Sequence, residues 1–260
     1  MKYNSIAFAD IETTQIPADG DIFKIDTIHC IGVKSGDSPT LMYTSRFLPL
    51  DNYGGTLRNA LDIINSHDYV VFHNFTFDVP VIEHLLGPIT AKVLDTMLIA
   101  KLIYTQDELI EHDISEGLPP ALYGSFSLDA FGRRMGEYKG SHSDWSKLTT
   151  AMCQYCTQDV EVTYHLFQTL LESPRFPSES VFDLEHEVAY LIAQQQYYGF
   201  YYDTEKARTL MTSLMYEQTS IAIRLQKQFK PLFLPKGPVV TPAKPRRTKQ
   251  FVPDLNYKGF

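Results

Sequence analysis

The sequence predicts an α/β body with a mixed sheet and helices packed on its faces, followed by a helical pair and a flexible tail. Two patterns predict the body: short apolar or alternating runs of strand length in the first third of the chain, and segments with apolar residues at helical spacing between and after them. Hydrophobic residues make up 44% of the 260 residues, which is ample for a packed core and excludes a disordered or fibrous protein.

Strands and helices can be placed in chain order from these patterns. Strands are predicted at residues 5–10, about 28–34, about 40–44 and 69–73. A helix over residues 56–67 separates the third strand from the fourth, so a mixed sheet is the expected arrangement. Further helices are expected at residues 79–86, 95–104, 127–138 and 146–173, with a long polar surface loop at 105–126.

A domain boundary is predicted near residues 174–182, where two prolines are followed by polar residues. We therefore expect one domain over residues 1–175 and a helical segment over residues 183–230 that is broken at Gly199. The tail, residues 231–260, has six prolines and six Lys or Arg residues. Its apolar content is too low to form a core, so it is predicted to be flexible.

The two parts of the chain differ in charge. Residues 1–180 hold 12 Lys and Arg against 24 Asp and Glu, whereas residues 181–260 hold 11 against 7, so the balances are −12 and +4 within a total of −8. A protein that binds nucleic acid by overall electrostatic attraction is basic throughout. If the first part acts on a polyanion, it therefore does so through metal ions.

Cysteine use and hydropathy predict a soluble, cytosolic protein. No apolar run approaches the roughly 18 residues of a membrane helix, and acidic residues interrupt the N-terminus before a signal-peptide core can form. The odd number of cysteines, three, favours a reducing compartment. Cys153 and Cys156 form a C-x-x-C inside a helical pattern, but a zinc or redox site is disfavoured because no second ligand pair with suitable spacing accompanies them. Two half-buried thiols on a helix are the favoured interpretation.

An acid pair follows the first predicted strand, in the stretch FADIETT. Asp10 and Glu12 are two residues apart, and residues i and i+2 of a strand project from the same face. Two oxygen ligands at one point suit Mg²⁺ or Mn²⁺. A solvated strand end is the alternative interpretation.

Two more acids, Asp78 and Asp159, are candidate site residues. Asp78 comes just past another apolar strand, although an Asp before Val-Pro is also typical of a helix N-cap. Asp159 lies four residues after Tyr155, so both side chains share one face of a long helix. With the first acid pair, the patterns N-x-x-x-D and Y-x-x-x-D resemble, in order and spacing, the DEDD superfamily of 3′-5′ exonucleases in its tyrosine-bearing branch.

Three further segments resemble the family A DNA polymerases of short-tailed T-odd phages: residues 123–140 (YGSFSLDAFGRRMGEYKG), residues 73–80 (HNFTFDVP) and residues 198–204 (YGFYYDT). The resemblance covers residues 5 to about 236. It implies an RNase H-like exonuclease fold, with a mixed five-stranded sheet, followed by the first helices of a polymerase thumb. The acid motif of a polymerase palm is not found in the sequence, so we expect no nucleotide-incorporating site in this chain.

The resemblance implies an enzyme, a metal-dependent 3′-5′ exodeoxyribonuclease that uses two divalent cations, Mg²⁺ or Mn²⁺. Asp10 is assigned to both metals, Glu12 and Asp159 to the metal that activates water, and Asp78 to the second metal, largely through bound waters. Tyr155 is expected to orient the attacking water, because a phenol with a pKa of about 10 is not a base at neutral pH.

Thr13, His73, Asn74 and Phe77 lie beside the acids in the sequence and are candidates for binding the terminal nucleotide, although Phe77 could equally be a core residue. The expected substrate is DNA with a single-stranded or frayed 3′ end. The expected partner is a polymerase-domain chain or a missing C-terminal polymerase region, with no membrane involved and the host cytoplasm as the location if the protein is viral.

Several alternatives stay open. The nuclease could act on RNA, as in the ribonuclease D branch, or the fold could be a non-catalytic module that docks a polymerase chain. The basic tail could follow the phosphate backbone of a template or serve as a solubilising linker. Asp95 and Asp203 each begin a helical run and are predicted to be N-caps rather than site residues.

Overall fold

The computed structural model describes residues 5–18, 20–138, 140 and 142–229, and of Tyr197 it describes the backbone alone. The tail predicted at residues 231–260 lies outside the described residues. The strands are Ile6–Thr13 (β1), Ile28–Ser35 (β2), Leu41–Thr44 (β3), Tyr53–Thr56 (β4), Tyr69–Phe72 (β5) and Lys92–Asp95 (β6). They form one sheet in the order β4-β3-β2-β1-β5-β6. β1, β2 and β3 pair antiparallel, whereas β1, β5 and β6 pair parallel, as do β3 and β4.

Helices flank this sheet. The α-helices are Leu57–Asn65 (α1), Phe75–Leu85 (α2), Thr96–Ile103 (α3), Gln106–Ser115 (α4), Leu128–Arg134 (α5), Thr150–Leu171 (α6), Glu179–Tyr198 (α7) and Thr204–Gln228 (α8). The predicted mixed sheet flanked by helices is confirmed, with six strands in place of five.

Two local predictions were wrong. The extra edge strand β4 has the sequence YGGT, and its two glycines carry no strand signal because glycine is depleted in strands. The predicted surface loop at 105–126 contains α4, which begins with a capping box in which Thr105 and Glu108 satisfy each other's backbone N–H groups. The sequence of α4 is as polar and acidic as that of a surface loop, so the capping pattern was the one clear sign of a helix.

The alternation of side chains along β1 determines which residues face α6. Ala9 and Ile11 belong to a buried cluster formed with α1 and α2, whereas Phe8 belongs to a second cluster formed largely with α3 and α6. Because successive side chains of a strand point to opposite faces, Asp10 and Glu12 lie on the same face of β1 as Phe8. Both acids therefore project toward α6.

Gly32 on β2 pairs with Asp10 and lets α6 approach the sheet closely. A Cβ atom at this position would lie 2.8 Å from Val160 Cγ2 and 3.2 Å from Cys156 Sγ, both on α6. Contacts this short require movement, so a side chain at position 32 would push the helix away from the sheet. The glycine thus sets the distance between the acid pair and the helix that carries two other predicted site residues.

The chain divides into two compact units, Met1–Gly199 and Phe200–Phe260. The first unit extends past the boundary predicted at 174–182 and includes α7, which packs on α2, α3 and β6. In the second unit, Asp203 accepts a hydrogen bond from Lys206 N at 2.9 Å, which confirms the predicted N-cap of α8. The assignment of residues 183–230 to a thumb-like segment stays a prediction.

Among the described residues, no helix is both long and apolar enough to cross a bilayer.

Candidate active site

The acid pair lies at the carboxyl end of β1. This strand pairs with β5 only over Ile6–Phe8 but with β2 as far as Thr13, so its last residues extend beyond the pairing with β5. Asp10 is half-buried, and Glu12 is only 7% exposed. The alternative of a solvated strand end therefore does not hold, because the pair is covered.

Helix α2 positions Asp78 against this strand end. The helix begins after Asn74, which takes the left-handed conformation with φ 66°, one that asparagine tolerates better than most residues. From inside the helix, Asp78 Oδ1 accepts a hydrogen bond from Ile11 N at 3.3 Å. The interpretation of Asp78 as an N-cap is therefore wrong, since Asn74 occupies the cap position and the Asp78 carboxylate contacts β1.

The surroundings of Asp78 raise its pKa from 3.8 to about 7. Burial is the largest cause, and the negative charges of Asp95 and Asp159 add to it, while hydrogen bonds from backbone N–H groups, including that of Ile11, act in the opposite direction. A buried carboxylate among other acids is stable in its charged form only when positive charge is supplied nearby. A divalent cation would supply that charge.

Helix α6 brings the fourth acid to the same strand end. Cys156 Sγ donates to the backbone oxygen of Asp10 at 3.5 Å. The pKa of the Cys156 thiol is raised chiefly by burial and further by the negative charges of Asp10, Glu12 and Asp159. Asp159 also raises the pKa of Asp78, so its charge acts on the same strand end, while the ligand atoms that lie within 4.8 Å of one another are those of Asp10, Glu12 and Cys156.

The chemistry of this cluster suits divalent metal ions. Oxygen atoms of Asp10 and Glu12 lie within 4.8 Å of each other and of Cys156 Sγ. Carboxylate oxygens are the ligands that Mg²⁺ and Mn²⁺ select, and mutual repulsion between clustered carboxylates is offset when such ions bind. The residues present therefore fit metal ions of this kind.

Two aromatic residues that the sequence reasoning missed lie beside Tyr155. The Tyr155 ring centroid is 5.8 Å from that of Trp145 and 6.1 Å from that of His142, and these two rings are 4.7 Å apart. The loop that carries them is tied to β2, because His29 Nε2 donates to Trp145 O at 3.1 Å. Trp145 is the one tryptophan of the chain, and this rarity was the only signal that could have singled it out.

The predicted nucleotide-binding residue His73 is held between protein groups. Its Nδ1 atom lies 2.8 Å from Thr96 Oγ1, and its Nε2 atom donates to Phe126 O at 3.0 Å. The ring thus connects the end of β5 with α3 and with the segment before α5. A direct contact with substrate stays a prediction for this residue.

The other three candidates differ in exposure. Thr13 is buried and its hydroxyl donates to the backbone oxygen of Thr14 at 2.8 Å. Asn74 is exposed, and its side chain accepts a hydrogen bond from Thr76 Oγ1 at 3.0 Å. Phe77 is partly buried and packs against the cluster under α1 and α2, as its alternative interpretation as a core residue predicts. Their contacts with a nucleotide stay predictions.

Asp95 is confirmed as the N-cap of α3, where its Oδ1 atom accepts a hydrogen bond from Met97 N at 2.8 Å. The same oxygen accepts from Asn74 N at 2.9 Å, at the start of α2. Asp95 N in turn donates to His186 Nε2 at 3.0 Å, and His186 Nδ1 donates to Phe182 O. Asp95 thereby connects α7 to α2, the helix that carries Asp78.

Parts of this chain are similar to known proteins. Residues 46–173 match the family model of a 3′-5′ exonuclease. The DNA-directed DNA polymerase of Escherichia phage T7 is 27% identical over 275 residues, which cover 86% of this chain and 38% of the polymerase. That of Enterobacteria phage T3 is 28% identical over 235 residues, which cover 70% of this chain and 33% of the polymerase. The chain thus spans little more than a third of the length of these relatives.

Two solved structures have a partly similar fold at low sequence identity. Brucella melitensis NrnC with bound Mg²⁺ is 16% identical with a TM-score of 0.49, over 74% of this chain and 84% of that one. Escherichia coli RNase D, an exoribonuclease involved in structured RNA processing, is 16% identical with a TM-score of 0.49, over 73% of this chain and 44% of that one. Over residues 46–173 this chain is therefore similar to 3′-5′ exonuclease domains, and over most of its length it is similar to the two phage polymerases.

Proposed function

We propose that this chain removes nucleoside monophosphates from the 3′ end of DNA and is the proofreading part of a family A DNA polymerase. The observation that carries the proposal is the meeting of four carboxylates, from β1, α2 and α6, at one end of β1. The similarity to two phage polymerases supports DNA as the substrate and a polymerase region, on another chain or in a longer protein, as the partner. The host cytoplasm is the proposed location.

The proposed cofactors are two divalent cations, Mg²⁺ or Mn²⁺, held by Asp10, Glu12, Asp78 and Asp159. When bound, they supply positive charge to the phosphate and make an attacking water more acidic. Asp10 is proposed to contribute to both ions, and Glu12 and Asp159 to the ion that activates water. Asp78 holds its ion from the side of α2, with its orientation fixed by Ile11 N.

Tyr155 is proposed to orient the attacking water by a hydrogen bond. Its ring lies half-buried against Trp145 and His142, so packing restricts its position. A restricted ring holds its hydroxyl in place without further loss of entropy when substrate binds. Asn74 and Trp145, one exposed and one half-buried, are proposed to contact the terminal nucleotide.

An RNA-directed nuclease is the second candidate, because one structural neighbour is described as an exoribonuclease. A docking module without activity is a weaker third candidate, because four carboxylates brought together in a largely buried site are unfavourable unless ions use them.

The test compares DNA and RNA oligonucleotides of the same sequence, each labelled at the 5′ end. We expect the purified chain with Mg²⁺ to shorten the DNA from its 3′ end with release of mononucleotides. It should shorten the RNA more slowly. A chelator should prevent the shortening of both. An oligonucleotide blocked by an inverted 3′ nucleotide is the control for direction. Faster shortening of RNA would support the second candidate, and no shortening of either would support the docking module.

A further inference from the structure

All three cysteines of the chain meet in one buried cluster. Cys30 lies on β2 and Cys153 and Cys156 lie on α6, and each is at most 1% exposed. Interaction with the other two thiols, together with burial, raises the pKa of the Cys30 thiol. Two methionines, Met42 and Met152, belong to the same cluster. The fold thus adds to the C-x-x-C pattern of α6 a third thiol from a strand more than a hundred residues away.

This sulfur cluster borders the carboxylates of the candidate active site. Cys30 is the register partner of Glu12 in the antiparallel pair of β1 and β2. Directly opposite residues of such a pair lie on the same face, so the Cys30 thiol and the Glu12 carboxylate are neighbours. On the helix side, Cys156 Sγ lies within 4.8 Å of ligand oxygens of both Asp10 and Glu12.

The combined set of ligands has a different preference from that of the carboxylates alone. Mg²⁺ takes oxygen ligands in near-ideal octahedral geometry, whereas thiolates select softer ions such as Zn²⁺ and Cd²⁺. Zn²⁺ is commonly tetrahedral, with bonds of about 2.3 Å to sulfur and about 2.0–2.2 Å to carboxylate oxygen. One sulfur, from Cys156 on α6, and two carboxylate oxygens, from Asp10 and Glu12 on β1, supply three ligands of the types that Zn²⁺ accepts, and a water completes four.

We propose that Cys156, with one oxygen each from Asp10 and Glu12, forms a binding site for one thiophilic divalent cation of the Zn²⁺ or Cd²⁺ class. The Cys156 thiol releases its proton to the solvent when it becomes a ligand, and no electron transfer is involved. When Asp10 and Glu12 bind this ion they no longer bind Mg²⁺, so binding of the ion stops hydrolysis. This regulatory part rests on the proposed function, whereas the binding itself does not.

The first experiment measures binding without reference to activity. The reduced, metal-free chain is titrated with Cd²⁺, and the ultraviolet charge-transfer absorption of a cadmium–thiolate bond is recorded. We expect one Cd²⁺ per chain with this band, and loss of the band with at least roughly 100-fold weaker binding in Cys156→Ser. Cys153→Ser is the matched control, because Cys153 belongs to the same buried cluster but not to the set of ligands near the carboxylates.

The outcomes separate the alternatives. Retention of the band in Cys156→Ser would overturn the proposal, as would an equal loss in Cys153→Ser, which would move the ion into the sulfur cluster and away from the acids. Cys156→Ala, which introduces no hydroxyl into the core, is the second variant, and circular dichroism of each variant verifies that it is folded.

The second experiment tests the regulation. Exonuclease activity is measured at fixed Mg²⁺ with rising Cd²⁺, and each variant is normalised to its own rate without Cd²⁺. We expect half-inhibition of Cys156→Ser to require at least about tenfold more Cd²⁺ than that of the wild type or of Cys153→Ser. Equal sensitivity of all three would overturn the regulatory part. If no variant degrades nucleic acid with Mg²⁺ alone, the proposed function fails, while the absorption titration still decides the site.

Discussion

Two regions of this molecule bury carboxylates, and the groups around the buried acid differ between them. Asp113 on α4 is fully buried and receives two hydrogen bonds of 2.7 Å from Arg134 and one of 2.9 Å from Gly124 N. Burial raises the pKa of Asp113, but the hydrogen bonds and the charge of Arg134 outweigh it, so the pKa lies below its ordinary value. At Asp78 burial and neighbouring acids prevail, and the pKa rises to about 7.

The difference shows what each region is built to do. A bidentate guanidinium neutralises the Asp113 carboxylate permanently, which holds α4 to α5 and has no use for a mobile ion. The charged groups that act on Asp78 are acids, and its hydrogen bonds come from backbone N–H groups. The first region contributes to stability, whereas the second gives up stability in the metal-free protein and keeps its oxygens available to cations. Substitutions in the two regions should therefore have opposite consequences.

The largest expected effect is on activity. The double substitution Asp10→Ala with Glu12→Ala should lower the rate of Mg²⁺-dependent digestion of single-stranded DNA by at least about 1000-fold, because it removes the ligands nearest the reacting phosphate. The fold should be retained, as judged by circular dichroism, because removing two clustered negative charges relieves their mutual repulsion in the metal-free protein. Asp62→Ala, at an exposed carboxylate of α1, is the control and should leave the rate unchanged. Persistent digestion by the double variant would refute the placement of the site.

In the other region we expect a large loss of stability. Arg134→Met leaves the Asp113 carboxylate buried without its guanidinium, which should lower the free energy of unfolding by roughly 3–5 kcal/mol. Urea unfolding followed by circular dichroism measures this. The neighbouring Arg133 pairs with Asp129 in a partly exposed position of the same helix, so Arg133→Met should cost less than about 1 kcal/mol. Equal effects of the two substitutions would contradict the contrast between the regions.

A smaller effect on rate is expected at Tyr155. Tyr155→Phe should slow hydrolysis by roughly 10- to 100-fold, because the attacking water loses a group that orients it. The dependence on Mg²⁺ concentration should be nearly unchanged, because the phenol is not a metal ligand. Tyr164→Phe is the control on the same helix, since the Tyr164 hydroxyl donates to Asp37 Oδ1 instead. A strong shift in Mg²⁺ dependence for Tyr155→Phe would mean that α6 contributes to the site differently.

The sequence predicted the parts of this molecule that local patterns determine. Periodicity located β1, β2, β3 and β5, and the i, i+2 spacing placed Asp10 and Glu12 on one face, as the alternation of β1 bears out. Short edge strands such as β4 were missed, because their pairing depends on a neighbour and not on their own residues. Resemblance to a family, rather than periodicity, indicated that distant acids act together.

The contacts that no pattern could supply are those between segments. Asp78 had two interpretations in the sequence, and the hydrogen bond from Ile11 N, across 67 residues, decides against the helix cap. The three cysteines likewise showed only a C-x-x-C within a helix, because the pairing of β2 with β1 that brings Cys30 to them is a property of the whole sheet. Such features become visible only when strand register and the packing of α6 are known.

The smallest expected effect is a pH-dependent gain in stability from Asp78→Asn. The pKa of Asp78 is about 7 in the folded chain and near 3.8 in the unfolded chain, so the folded state holds its proton more tightly. As pH rises through this interval the metal-free wild type loses stability, and the loss is complete above pH 7. The variant lacks this charge, so at pH 8 in a chelator it should be more stable by roughly 1–3 kcal/mol, whereas near pH 4 the two should agree.

Urea unfolding at both pH values, with and without Mg²⁺, makes this comparison. Saturating Mg²⁺ should reverse the order at pH 8, because the ion stabilises the folded wild type by binding to a carboxylate that the variant lacks. A variant that is less stable than the wild type in the chelator at pH 8 would show that the hydrogen bond from Ile11 N outweighs the cost of the buried charge. The two regions would then bury their acids for the same reason.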